Sequence, residues 1–122
     1  MCYNNHMSNN DSGYRRLFSD IFRVNEDMQF TEQYQHIVRD VINTLPLGCK
    51  TASKIREIII SRYGLDTGVY LTYSEVNSHL KLNVSSARVQ QLCDLALRRL
   101  RHPSRSKILR SCLTSFTMMD GY

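Results

Sequence analysis

At 122 residues and a net charge of +5, the chain has room for one domain around one hydrophobic core, and its pI near 9.2 suits a polyanionic partner. No apolar run approaches the ~18 residues of a membrane span, and the N-terminus lacks a charged-then-apolar signal pattern, so neither membrane nor secretion is expected. Four cysteines (Cys2, Cys49, Cys93, Cys112) and four histidines (His6, His36, His79, His102) are scattered without paired spacing, so no metal or cofactor is expected and the thiols are read as reduced.

Residues 1–12, rich in Asn and Ser, read as a flexible polar tail, since they cannot repay their ordering entropy alone. Within the 1–30 tail region, residues 14–24 could form a short amphipathic helix through Tyr14, Leu17, Phe18, Ile21 and Phe22. It either packs on the domain or docks a partner. The domain proper is expected over 31–116. Residues 31–45 form the clearest helix, capped by Thr31, with an apolar face of Tyr34, Ile37, Val38, Val41, Ile42 and Leu45, and stopped by Pro46. His36 is read as a surface residue. The next helix spans 51–63, with Ala52, Ile55, Ile58, Ile59 and Tyr63 inward and Gly64 at a left-handed C-cap. Its basic residues, Lys50, Lys54, Arg56 and Arg62, could flank a DNA backbone. No strand is expected, so the whole reads as an all-α bundle.

Residues 72–101 carry the strongest pattern, a helix-turn-helix. Thr72 and Glu75 make a capping box, and Val76 and Leu80 share a face. Leu82 and Val84 lie at the turn. Ser85 caps a second helix whose stripe is Val89, Leu92, Ala96 and Leu100. Its other face carries Ser86, Arg88, Gln90 and Gln91 early and Arg98, Arg99 and Arg101 late. Short polar and amide groups at a helix start suit base edges in the major groove, and later arginines suit phosphates. An ordinary amphipathic helix with a solvated face fits the periodicity equally well. Charge favours DNA: from Arg88 to Arg110 there are seven Arg or Lys and one acid, Asp94, whereas residues 1–40 hold six acids against four bases, a net of −2. After Arg101, Pro103 breaks the helix and Ser104 can cap a last one carrying Ile108, Leu109, Cys112, Leu113 and Phe116.

The run Leu97-Arg98-Arg99-Leu100-Arg101-His102-Pro103-Ser104-Arg105 resembles the end of region 4 of primary bacterial sigma factors, the subunits that direct RNA polymerase to promoters. Arg62-Tyr63-Gly64-Leu65 resembles the end of that region's preceding helix. The resemblance covers roughly residues 34–113 and implies a small helical bundle containing a helix-turn-helix. It places −35 promoter contacts on Ser86, Ala87, Gln90 and Gln91, of which only Gln91 keeps the family's usual residue. Arg88 is retained. The stretch from Glu75 to Ser85 is longer than the family's spacing.

Taken together, these residues imply a DNA-binding transcription factor: a stand-alone region-4-like subunit that associates with RNA polymerase and directs or modulates promoter recognition. Ser85, Ser86, Gln90 and Gln91 would face bases, with Ala87 at a −35 contact position, and Arg88, Arg98, Arg99 and Arg101 would face phosphates. The resemblance implies double-stranded promoter DNA and the β flap of the polymerase core as partners, with Ile55, Ile59, Ile108 and Leu109 as flap contacts, and a cytoplasmic, nucleoid-associated location. A second chain would supply promoter melting, because that region of sigma factors has no counterpart here. The alternative is a region-4 mimic that binds the flap or a regulator without specific DNA reading. A dimeric helix-turn-helix repressor is a third reading. No catalytic constellation is present, so an enzyme is not expected.

Overall fold

The apolar periodicity of the first fifty residues predicts two amphipathic helices, and both form in the computed structural model. It describes residues 3–24, 28–45 and 54–115, with 3–10, 114 and 115 described by their backbone alone. The first helix, α1 (Tyr3–Phe22), begins well before residue 14, so that residues 3–12, expected as a polar tail, continue it. The physical reason is cooperativity: once Tyr14, Leu17, Phe18 and Ile21 are packed in the core, extending the helix toward the N-terminus needs no new nucleus. That burial also resolves the choice between packing and docking for this segment in favour of packing.

Strand β1 (Gln29–Phe30) follows, and then α2 (Tyr34–Ile42). Thr31 does not cap α2. The N-cap is Gln33, without a side-chain bond, and the Thr31 N–H donates to the Cys112 carbonyl at 2.8 Å. That bond extends an antiparallel pairing of β1 with β2 (Leu113–Ser115), near the far end of the described chain. This two-stranded ladder corrects the expectation of no strand. It forms because Phe30 stacks on Tyr34 (4.0 Å between centroids, 9° between planes) and meets Phe18 edge-on at 5.0 Å. Aromatic packing thus draws β1 onto the helices. Pro46, Cys49, Lys50, Ala52 and Phe116 lie outside the described residues.

Helix α3 (Ile55–Arg62) ends as its sequence predicts. Gly64 has φ +62°, its N–H donates to the Ser61 carbonyl, and the Leu65 N–H donates to the Ile60 carbonyl. These two bonds are a Schellman motif, with Leu65 buried behind it. Helix α4 (Tyr73–Leu80) starts with the expected capping box in full: the Thr72 hydroxyl accepts from the Glu75 N–H, and the Glu75 carboxylate accepts from the Thr72 N–H. Helix α5 (Ser86–Leu100) is capped by Ser85, whose hydroxyl accepts from the Arg88 N–H at 3.1 Å.

The last helix, α6 (Pro103–Arg110), corrects two details. Pro103 starts it rather than merely breaking α5, since a proline at the first helical position sacrifices no hydrogen bond. Its cap is His102 rather than Ser104: the His102 Nδ1 accepts from the Ser104 N–H at 3.2 Å. The described residues therefore build an all-α bundle with one short strand pair. A single core runs through it, from Leu17, Phe18 and Ile42 to Ile58, Val76, Leu92 and Leu100.

Candidate nucleic-acid interface

The helix-turn-helix is the region whose exposed and buried faces separate most sharply. On α5, Val89, Leu92, Cys93, Ala96, Leu97 and Leu100 are buried, which contains the whole predicted stripe and adds Cys93 and Leu97. Ser85, Ser86, Ala87, Arg88, Gln90 and Gln91 are all exposed. The turn is held by one side chain. The Asn77 amide donates from Nδ2 to the Val84 carbonyl at 2.6 Å, and its Oδ1 accepts from the Val84 N–H at 3.3 Å. Lys81 (φ +54°) and Asn83 (φ +62°) adopt left-handed backbone on the way. Asn77 therefore sets how α5 leaves α4. Its pattern in sequence, a polar residue mid-helix, gave no sign of that role.

On the exposed start of α5, Arg88 donates from Nη1 to the Gln91 Oε1 at 3.3 Å. The two side chains whose donors best match base edges are thus neighbours on one surface. Arg98 and Arg99 are exposed further along. Arg101 is exposed as well, and it also serves the fold. Its Nη2 donates to the Asp20 carbonyl at 2.8 Å and its Nε to the Ile21 carbonyl at 3.4 Å, so it closes the C-terminal end of α1.

Other arginines also spend donors on the backbone of this chain. Arg105 donates to the Thr44 hydroxyl and carbonyl at 3.0 and 3.1 Å, just beyond α2. Arg56 donates twice to the Leu45 carbonyl, and Arg62 donates to the Leu71 carbonyl at 2.6 Å. Lys54 reaches Glu57 at 3.7 Å in an exposed pair. The basic character of α3 is therefore spent largely on its own fold rather than on a flanking DNA surface.

The four residues expected against the polymerase flap separate in the same way. Ile55, Ile59 and Leu109 are 2%, 0% and 1% exposed, whereas Ile108 is 47% exposed. Three of them are core residues and present no surface to a partner while the domain is folded. Val69 (55%) and Tyr70 (38%) are the other large apolar residues exposed among those described.

The buried ionisable groups serve the fold. The Tyr63 hydroxyl donates to the Asp20 carboxylate at 2.5 Å, joining α1 to the end of α3, and burial pushes its pKa up. The Tyr34 hydroxyl donates to Asp11 and is likewise raised, first by burial. Burial pushes the Cys93 thiol up to about 12 and the Cys112 thiol up to about 11, so both are neutral and unreactive. His36 is exposed beside Asp40, and Tyr34 is core, both as the sequence suggests. Among the described residues no group of His, Cys, Asp and Glu is arranged to hold a metal ion, and no helix is long and apolar enough to cross a membrane.

Fold and surface together define a small helical domain built on a helix-turn-helix with a polar, cationic face. Known proteins add the family likeness. The chain is 38% identical over 73 residues to the RNA polymerase sigma factor SigA of Clostridium acetobutylicum, covering 60% of this chain and 17% of that protein. It is 42% identical over 55 residues, 45% of the chain, to SigA1 of Synechococcus elongatus (13% of that protein) and to SigA of Synechocystis sp. (12% of that protein). The matched portion is a sigma region-4-like domain, and the chain spans less than a fifth of the length of these relatives. No family model and no solved structure matches it.

Proposed function

We propose that this chain is a non-enzymatic transcription factor, a sigma region-4-like subunit that associates with RNA polymerase and directs or modulates promoter recognition through duplex DNA. The observation that carries this reading is the start of α5. Six consecutive or near-consecutive residues, Ser85 to Arg88 with Gln90 and Gln91, are exposed above a fully buried Val89 and Leu92. A capped helix held this firmly can present its first two turns to a major groove with little entropy left to lose. Gln90 and Gln91 suit adenine and Arg88 suits guanine. Arg98 and Arg99 suit phosphates, while Arg101 contributes by holding α1 in place. The similarity to sigma factors supports polymerase as the partner, and a second chain would supply promoter melting.

The exposure of Ile108 favours a second reading, in which α6 touches the polymerase flap and the chain acts as a region-4 mimic. Ser86 and Ala87, which replace the family's usual base readers, favour it too. The experiment is a pull-down of tagged protein from its own host, with and without nuclease, reading polymerase subunits by mass spectrometry. Polymerase retained after nuclease supports the sigma-like role. Polymerase absent, with the protein still held on DNA, would leave a helix-turn-helix factor acting alone.

A further inference from the structure

The sequence offers α1 as a packing or partner-docking helix and gives it no part in DNA contact, yet α1 delivers an arginine to the entrance of the helix-turn-helix. The guanidinium of Arg16 lies 4.2 Å from the centre of the Tyr70 ring. Arg62 lies 4.3 Å from the same ring and 3.9 Å from that of Tyr73, the first residue of α4. Tyr63 meets Tyr70 edge-on at 5.8 Å. Two cations are thus gathered over one tyrosine, two residues before the N-cap of α4.

Among the described residues neither Arg16 nor Arg62 makes an ion pair, and Arg16 makes no hydrogen bond either. Of the carboxylates on this side, Asp20 accepts from Tyr63, Asp66 pairs with Arg39 and Glu75 closes the capping box, while the exposed Asp94 lies near Tyr73 and Cys93, as Arg62 does. Arg62 directs Nη1 to the Leu71 carbonyl, so it is anchored. Arg16 is exposed, and the ring beneath it fixes the plane of its guanidinium while its N–H donors stay free. Holding two like charges together costs free energy that an incoming anion returns. A planar donor fork held in advance is the arrangement that binds a phosphate oxygen at low entropic cost.

From this juxtaposition we infer that Arg16, steadied by Tyr70, is a DNA-backbone contact that α1 adds to the helix-turn-helix surface. In such motifs the first helix crosses the phosphate backbone while the second enters the groove, and Tyr70 lies in the segment leading into that first helix. The inference rests on the DNA-binding reading proposed above and deepens it. A phosphate contact carries no sequence information, so it would strengthen binding to every duplex alike.

The test is a salt titration of binding to a labelled duplex by fluorescence anisotropy, for the full chain and for Arg16→Ala, Arg16→Lys and Tyr70→Leu, each checked for an unchanged unfolding midpoint. Tyr70→Leu keeps the apolar body and removes the ring that holds the guanidinium. Arg16→Ala should weaken binding roughly threefold or more at moderate salt and reduce the slope of log K against log salt by about 0.9, equally on unrelated duplexes. Arg16→Lys should restore most of the slope, and Tyr70→Leu should show part of the loss. Unchanged affinity and slope in Arg16→Ala, with the unaltered chain binding duplex normally, would overturn the inference alone. The same result joined to weaker capture of RNA polymerase would reassign Arg16 to a protein partner. No duplex binding by the unaltered chain would overturn the inference together with the reading beneath it.

Discussion

The side-chain amide of Asn77 brackets the backbone of Val84, donating to its carbonyl at 2.6 Å and accepting from its N–H at 3.3 Å. Asn77 lies on α4 and Val84 immediately precedes the cap of α5, so this pair sets the angle at which the candidate recognition helix is presented. Asn77→Ala should cost about 1–3 kcal/mol of stability, the range for a part-buried backbone group left unpaired. Asn77→Asp should lose at least as much, since it keeps the acceptor but turns a carboxylate toward the Val84 carbonyl. Urea unfolding followed by circular dichroism measures both. DNA affinity should fall at temperatures where the variants remain folded.

Arginines on neighbouring turns should divide cleanly between fold and function. Arg101→Ala should destabilise the domain by about 1–3 kcal/mol, because it removes two charge-assisted bonds to the end of α1. Arg98→Ala and Arg99→Ala, at exposed positions, should change stability by less than about 0.5 kcal/mol. If both face phosphates, each should lower the salt slope of duplex binding by about 0.9. Unfolding curves and salt titrations on the same three variants check the division.

Gly13 is a place where α1 touches α3 too closely for any side chain. A Cβ there would stand 2.1 Å from the Tyr63 carbonyl oxygen. Gly13→Ala should therefore destabilise the protein by about 1–3 kcal/mol, although alanine favours a helix over glycine by about 1 kcal/mol. A raised unfolding midpoint would contradict the contact between α1 and the end of α3.

The buried thiols predict a pH dependence. Burial raises Cys93 from 9.0 to about 12 and Cys112 from 9.0 to about 11. Above pH 9 the unfolded chain releases these protons while the folded chain keeps them. The stability they contribute is therefore fully present below pH 9 and is lost as pH rises toward 11 and 12. Urea midpoints should fall between pH 9 and 11. Residue-resolved mass spectrometry after thiol labelling at pH 8 should find Cys93 and Cys112 unmodified until denaturant is added.

The parts of this fold legible in the sequence are those decided locally. The Thr72–Glu75 box, the Ser85 cap, the Gly64 turn and the Val89–Leu92–Ala96–Leu100 stripe each depend on residues within a few positions, and all are present. What escaped the sequence was decided at long range. The pairing of β1 with β2 joins residues more than eighty positions apart, and Arg101 reaches back about as far to α1. The same limit affected the site. Periodicity exposes the first turns of α5 correctly, but it cannot tell that an exposed arginine also closes a distant helix. Nor can a family resemblance keep Ile55, Ile59 and Leu109 at a surface once the core has claimed them.

The measurement that tests the central claim most directly is selection of bound duplexes from a random pool, by the unaltered chain and by the triple variant Arg88→Ala, Gln90→Ala, Gln91→Ala. The chain should enrich a defined motif. The variant, unchanged in stability because all three residues are exposed, should keep salt-dependent binding but lose the motif. The same motif from the variant, or none from the unaltered chain, would contradict a base-reading role for the start of α5.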